Sequence, residues 1–212
     1  MAYSSQAATF TMAPTAVNRL IQGGAVNDHY DDNFSTNQSD TQTTLVKTTN
    51  AGFNAALATN LGALGSGEHY QINSALLVVG DVANRYVPAG SSLESHLMLL
   101  SYDGTAVTWN SFDGLGGAGT SYVTANLVTG VQATDSVSWD FTATVRAFLA
   151  GTTPNEGIYF SGTGTDMTGT QEVPVSKVIW QLDAIKITTV SAPIVDFNTP
   201  AEVFASEVEE MK

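Results

Sequence analysis

A chain of 212 residues, 43% hydrophobic and only 13% charged, is long enough for one large β domain or two small ones. Its charged content is about half the usual ~25%, so solubility rests on Ser, Thr, Asn, Gln and Gly and on a net charge of −13. Seven Lys and Arg leave no basic patch, which argues against nucleic acid and anionic membranes as partners, and the lack of cysteine excludes disulfides, thiol catalysis and Cys-ligated metals.

Residues 1–40 read as an extended N-terminal arm of small and polar residues, interrupted by Val17-Asn18-Arg19-Leu20-Ile21. The first 15 residues have no positive n-region and no apolar h-region, so a signal peptide is not expected and folding is expected where the chain is made. No window approaches ~18 apolar residues, so no membrane-spanning helix is expected. Asn27, Asp28, Asp31, Asp32, Asn33 and Asp40 offer hard oxygen ligands suited to calcium. They lack the D-x-[DN]-x-[DN]-G loop, and solvated turns are the preferred reading.

Residues 41–190 read as short β segments separated by Gly, Asn, Asp and Ser. Strands are expected at 43–48, 74–80, 96–102, 107–110, 122–129, 137–139, 158–160, 177–182 and 185–190. Asp103-Gly104 suits a tight turn, and 53–64 is open between strand and a short helix. The clearest helical pattern lies at about 141–150, where Phe141, Val145, Phe148 and Leu149 share one face. Asp140 or Thr142 can accept from its first turn, and Gly151 suits a left-handed stop before the turn Pro154-Asn155-Glu156-Gly157. Beyond Pro193 the chain becomes an acidic C-terminal tail, 191–212, in which Val203, Phe204 and Val208 could share one side of a short helix. The expected class is all-β: an antiparallel jelly-roll β-sandwich with one short helix, an extended arm and an acidic tail.

Three stretches in order resemble the DNRLRE domain, a jelly-roll family related to some carbohydrate-binding modules. Leu76–Val79 with Arg85-Tyr86-Val87-Pro88-Ala89-Gly90 and Leu93–Leu99 looks like its strand, connection and second strand. Val107-Thr108-Trp109-Asn110 is similar to its V-T-W-N. Asp140-Phe141-Thr142 with Val145, Leu149, Gly151, Asn155 and Gly157 is similar to D-V-T-x-x-V-x-x-W-L-x-G-x-x-N-x-G, with Phe148 where the family usually has Trp. The resemblance covers about residues 41–190 and implies a jelly roll whose motifs are largely structural. The family's Arg-Ser-Leu-Leu opening is replaced by Asn73-Ser74-Ala75-Leu76, and its Ser-rich close by Lys177 to Leu182, which puts an inherited ligand site in doubt.

Catalytic chemistry finds little footing. Gly114-Leu115-Gly116-Gly117-Ala118-Gly119 matches G-x-G-x-x-G literally, but a phosphate cradle needs a strand before it and a helix after it, and β-like Thr120–Val123 follows. His29, His69 and His96 lack ligand spacing, and His96 reads as a sheet-face histidine. Trp109, Trp180, Tyr70 and Tyr86 could stack on sugars; for the two tryptophans core packing is the preferred reading. No cofactor and no metal are expected.

The reading that unites these features is a non-enzymatic structural protein of a virus particle, of the bacteriophage decoration, cement or fibre type. Its expected partners are protein subunits of a viral shell and further copies of itself, a trimer among the options. Val17, Leu20 and Ile21 in the arm and Val203, Phe204 and Val208 in the tail are the expected contact residues. The alternative is a carbohydrate-binding module of a secreted or surface protein, with glycans as partners.

Overall fold

In a computed structural model, the described residues are 3–21, 28–30, 33–34, 42–82, 92–114, 128–132, 135–163 and 173–189. In chain order the strands are β1 (Tyr3–Met12), β2 (Ala16–Ile21), β3 (Asp28–Tyr30), β4 (Asn33–Phe34), β5 (Gln42–Lys47), β6 (Glu68–Gly80), β7 (Ser92–Leu97), β8 (Val128–Thr129), β9 (Val131–Gln132), β10 (Ser136–Asp140), β11 (Ile158–Thr163), β12 (Val173–Pro174) and β13 (Val178–Thr189). Among the described residues three α-helices interrupt them, α1 (Asn50–Leu61), α2 (Trp109–Gly114) and α3 (Thr142–Leu149), together with a 3-10 turn at Val175–Lys177.

The strands form an all-β sandwich of two antiparallel sheets. One has the order β1-β13-β6-β10-β9, the other β3-β2-β5-β11-β7-β8, and β12 pairs with β4 in a small ribbon. Period-2 burial marks the inner face: Ile72, Ala75, Leu77 and Val79 of β6 and Val137 and Trp139 of β10 are buried. Between the sheets lies a chain of rings. Phe160 of β11 lies 4.8 Å from Trp139, 5.3 Å from Phe34 and 6.4 Å from Phe141, while Trp180 of β13 lies 5.8 Å from Phe141 and 5.2 Å from Phe53 of α1.

Helix α3 sits where the sequence pattern puts it, and Phe141, Val145 and Phe148 are buried. Its start is tied to β6: Thr142 Oγ1 accepts from the Ala75 N–H, and the Phe141 N–H donates to the Ala75 carbonyl. The Thr142 hydroxyl (2.6 Å) and then its N–H (2.9 Å) donate to Asp140 Oδ1, and with a smaller pull from Arg146 they hold that carboxyl below the usual range. At the other end Gly151 takes φ +69°, and the N–H groups of Gly151 and Thr152 return to the carbonyls of Phe148 and Ala147, a Schellman stop. Asn155 then donates to the Thr48 carbonyl and to Asn50 Oδ1, which anchors the turn to the start of α1.

Several expectations need correction. The described part of residues 1–40 is not an arm apart from the body: β1 runs beside β13 for its whole length, and β2 pairs with β5 and β3. There is more than one helix. The stretch 53–64 resolves to α1 because Phe53, Leu57 and Leu61 fall on one buried stripe and Thr49 caps it, accepting from the Gly52 N–H. Val107–Asn110 is not a strand; Thr108 and Ser111 cap each other's N–H groups, and Trp109 opens α2. The two strands expected at 177–182 and 185–190 are one, β13, because Asn73 bulges out of β6 opposite Asp183/Ala184 and lets the pairing continue.

Two outcomes test this scaffold. Phe160→Ala is expected to cost about 3–5 kcal/mol in urea unfolding, since it empties the ring cluster. Asp140 has a lowered folded-state pKa, so its contribution is present above the ordinary carboxylate range and lost as pH falls through the folded value. Asp140→Asn, which keeps the acceptor oxygen, is therefore expected to lose less stability than the native chain between about pH 5 and pH 2.

Candidate functional site

The chain has a third layer outside the sandwich. Leu20 of β2, Leu45 of β5 and Tyr159 of β11 point away from the main core, and residues 98–114 fold back over them with Met98, Tyr102, Val107, Trp109 and Phe112. Phe112 stacks on Tyr159 at 5.6 Å with the planes 17° apart, and Trp109 meets Phe112 edge-on at 6.1 Å. The Met98 N–H donates to the Gly157 carbonyl, Asn18 Nδ2 to the Gly104 carbonyl and Lys47 Nζ to the Tyr102 carbonyl. Lys47 Nζ also stands 4.9 Å from the centre of the Tyr102 ring.

This layer explains Gly157. Its φ is +116°, and a Cβ there would come within 2.9 Å of Tyr102 Cε1 and 3.1 Å of Tyr102 Oη. Tyr102 is 6% exposed; its hydroxyl has no hydrogen-bond partner among the described residues, and burial pushes its pKa up. The segment that closes the layer also displays apolar surface. Leu99 is 51% and Leu100 38% exposed, directly after buried Met98.

Three open grooves mark the described surface. One of about 410 Å³ lies between Ala13–Val17, Gly104–Thr105 and Val175–Ser176, and holds no ionisable side chain. A second, about 340 Å³, lies between His69–Ile72 and the end of α3; its guanidinium, Arg146, donates to the carbonyls of Ile72 (2.7 Å) and Asn73 (3.4 Å). The third, about 260 Å³, lies beside Tyr102, and Asp103, its acid, accepts from the N–H and hydroxyl of Thr105. None of the three brings two carboxylates together, and among the described residues no group of three or more His, Asp or Glu could hold a metal ion. No helix among them is long and apolar enough to cross a membrane.

The expected contact residues fare unevenly. Val17 is 8% exposed in the main core and Leu20 is fully buried beneath the third layer, because β2 lies within the sheet that both cores share. Ile21, at the end of β2, is half-buried and pairs with Gln42 and Asp28. Val17 and Leu20 are therefore withdrawn as outward-facing contacts. Val203, Phe204 and Val208 lie outside the described residues, as do Tyr86 and most of the acidic 27–40 stretch.

The tryptophans are all interior. Trp139 and Trp180 are at most 1% exposed and donate to the Leu93 carbonyl and Thr48 Oγ1; Trp109 is 8% exposed. Tyr70 is half-buried and donates to the Gly62 carbonyl. His96 is a sheet-face histidine, its Nε2 3.1 Å from Ser161 Oγ and its ring 5.4 Å from Tyr159. The literal G-x-G-x-x-G begins at the end of α2, so a helix rather than a strand precedes it. Comparison of the chain with protein-family models finds no match, and a search of curated protein sequences finds none either.

The third layer was missed in the sequence, although Trp109 and Phe112 stand at i, i+3 with a Thr-x-x-Ser cap before them. Its anchorage is testable. Phe112→Ala is expected to cost about 3 kcal/mol. Hydrogen exchange should then quicken in residues 98–114 while the amides of β6 and β13 keep their protection.

Proposed function

We propose that this chain is a non-enzymatic structural protein of a virus particle, of the bacteriophage decoration, cement or fibre type, which works by packing against neighbouring protein subunits. The reading is supported by where the molecule spends its side chains. Its tryptophans, helix caps and most of its described polar contacts serve its own scaffold, and what the described residues turn outward is largely uncharged. The observation that carries the proposal is the pair Leu99 and Leu100, half-exposed on a layer that is itself pinned to the sandwich. An apolar step held this firmly suits a protein neighbour better than a soluble ligand.

The same proposal includes the finer topology. We read the sandwich as a jelly roll; the orders β1-β13-β6-β10 and β5-β11-β7-β8 support that reading, in keeping with the resemblance to the DNRLRE domain. Contact through the tail, by Val203, Phe204 and Val208, remains part of the reading; contact through the N-terminal segment moves from a free arm to an edge of the sandwich. The carbohydrate-binding alternative loses the tryptophan platform it relied on.

The test is incorporation. In particles carrying this chain, quantitative mass spectrometry should return a fixed stoichiometric copy number. The double substitution Leu99→Ser and Leu100→Ser should abolish incorporation without lowering the melting temperature. Absence of the chain from every particle fraction, or a reproducible hit on a glycan array, would sink the proposal.

A further inference from the structure

Among the described residues the sandwich leaves one long strand, β1, with a strand partner on one side only, while α1 packs against it. Among the described residues the other outermost strands are short: β9 and β8 have two residues each and β3 has three. Short edges are a common protection against unwanted pairing, along with charges, prolines, bulges and covering loops. β1 carries none of the first four. It spans ten residues, Y-S-S-Q-A-A-T-F-T-M, with no charged residue and no proline. Its register with β13 runs without a shift from Tyr3↔Thr189 to Met12↔Trp180.

Every second residue of such a strand turns its N–H and C=O away from β13. These outward groups have no backbone partner among the described residues. The side chains match that openness. Ser5, Gln6, Ala7, Thr9 and Thr11 are exposed, while Ala8, Phe10 and Met12 are half-buried against the main core.

We infer that β1 is a dimerisation edge, and that its occupant is β1 of a second copy of this chain, running antiparallel about a two-fold axis. The pairing would join two five-stranded sheets into one continuous sheet and extend the cover over Ala8, Phe10 and Met12. Overall charge opposes association of two copies, and the strand's own lack of charge is what lets a second copy meet it here. Two chains of net charge −13 repel, and a two-fold sets each residue of the strand opposite residues of the same strand, so any charge near the centre would face its own kind. β1 is free of charge from end to end, and Ser5, Ala7 and Ala8 near its middle carry no bulk to hold a second strand away. The inference does not rest on the virus-particle reading, because the dimer is read on the purified chain in solution.

Light scattering of the full chain over about 1 μM to 1 mM should show mass rising towards twice 22.2 kDa. Ala7→Lys places two like charges by the axis; it should return the mass to that of one chain with the melting temperature unchanged. The chain has no cysteine, so single substitutions at Ser5, Gln6, Ala7, Ala8 and Thr9 give a clean cross-linking scan. A two-fold strand pair sets one residue opposite its own copy at a spacing a disulfide spans, so cross-linking should peak sharply at one position. The inference is overturned by a native chain that stays monomeric throughout, including one that dimerises only when residues 190–212 are removed, which would make its own tail the occupant. It is equally overturned if Ala7→Lys remains dimeric, or if no position cross-links.

Discussion

The two sheets are held in one relation by Phe160 and the rings around it. Phe160 stands on β11 and meets Trp139 of the facing sheet; Phe141, at the start of α3, touches both Phe160 and Trp180. Each such tilted or edge-on pair adds roughly 0.5–1.5 kcal/mol beyond the area it buries. Geometry matters more than the sum. An indole buried this deeply must find an acceptor, and each has one: the Leu93 carbonyl on β7 and the Thr48 hydroxyl before α1. The rings therefore fix more than distance. They set which point of β7 and which point before α1 lie against the facing sheet.

Helix α3 converts that relation into a closed end. It bonds to β6 at Ala75, and Arg146 reaches the carbonyls of Ile72 and Asn73 where β6 bulges. Without the bulge those carbonyls would be engaged in the β6–β13 ladder or turned elsewhere. Beyond the helix, Gly151 reverses the chain, Asn155 ties the turn to α1, and Gly157 lets Tyr102 of the third layer approach the backbone. The residues shared with the D-V-T…G…N…G pattern are thus used in caps, turns and close approaches, which accounts for them without a ligand.

Legibility in the sequence followed how local each cause was. The α3 stretch could be read almost residue by residue, because its stripe, its Asp140 contact and its Gly151 stop all lie within a few residues of one another. Most described strands of the body were legible as short β-favouring runs between Gly, Asn, Asp and Ser, although the one expected at 96–102 is β7 at Ser92–Leu97. β1 was not: Ala8, Phe10 and Met12 do alternate, but the small polar residues around them suit a free arm equally well, and what makes them a strand is β13, more than 160 residues away. The burial of Val17 and Leu20 was hidden for the same reason. An apolar residue in a short segment looks the same whether it faces a neighbour or its own core. Val107–Asn110 misled in the opposite way, since β-favouring residues lost to a cap that Thr108 and Ser111 make together.

Low charge and high net charge act together on what the surface can do. With acids far outnumbering bases, two copies approach against a repulsion that salt screens beyond about 8 Å at physiological strength. Such a field discourages indiscriminate association while leaving short-range contacts free to choose where copies meet. The places that can choose are those where charge is absent and backbone or apolar surface is presented in a fixed direction. On the described surface the open side of β1 and the step at Leu99 and Leu100 have that character, and Leu64 and Val131 are also exposed. The strand edge and the step lie on different layers, one bordering the sheet that holds Trp180 and the other above the sheet that holds Phe160. A subunit with contact features on separate layers can join neighbours in more than one direction, which a single patch cannot do.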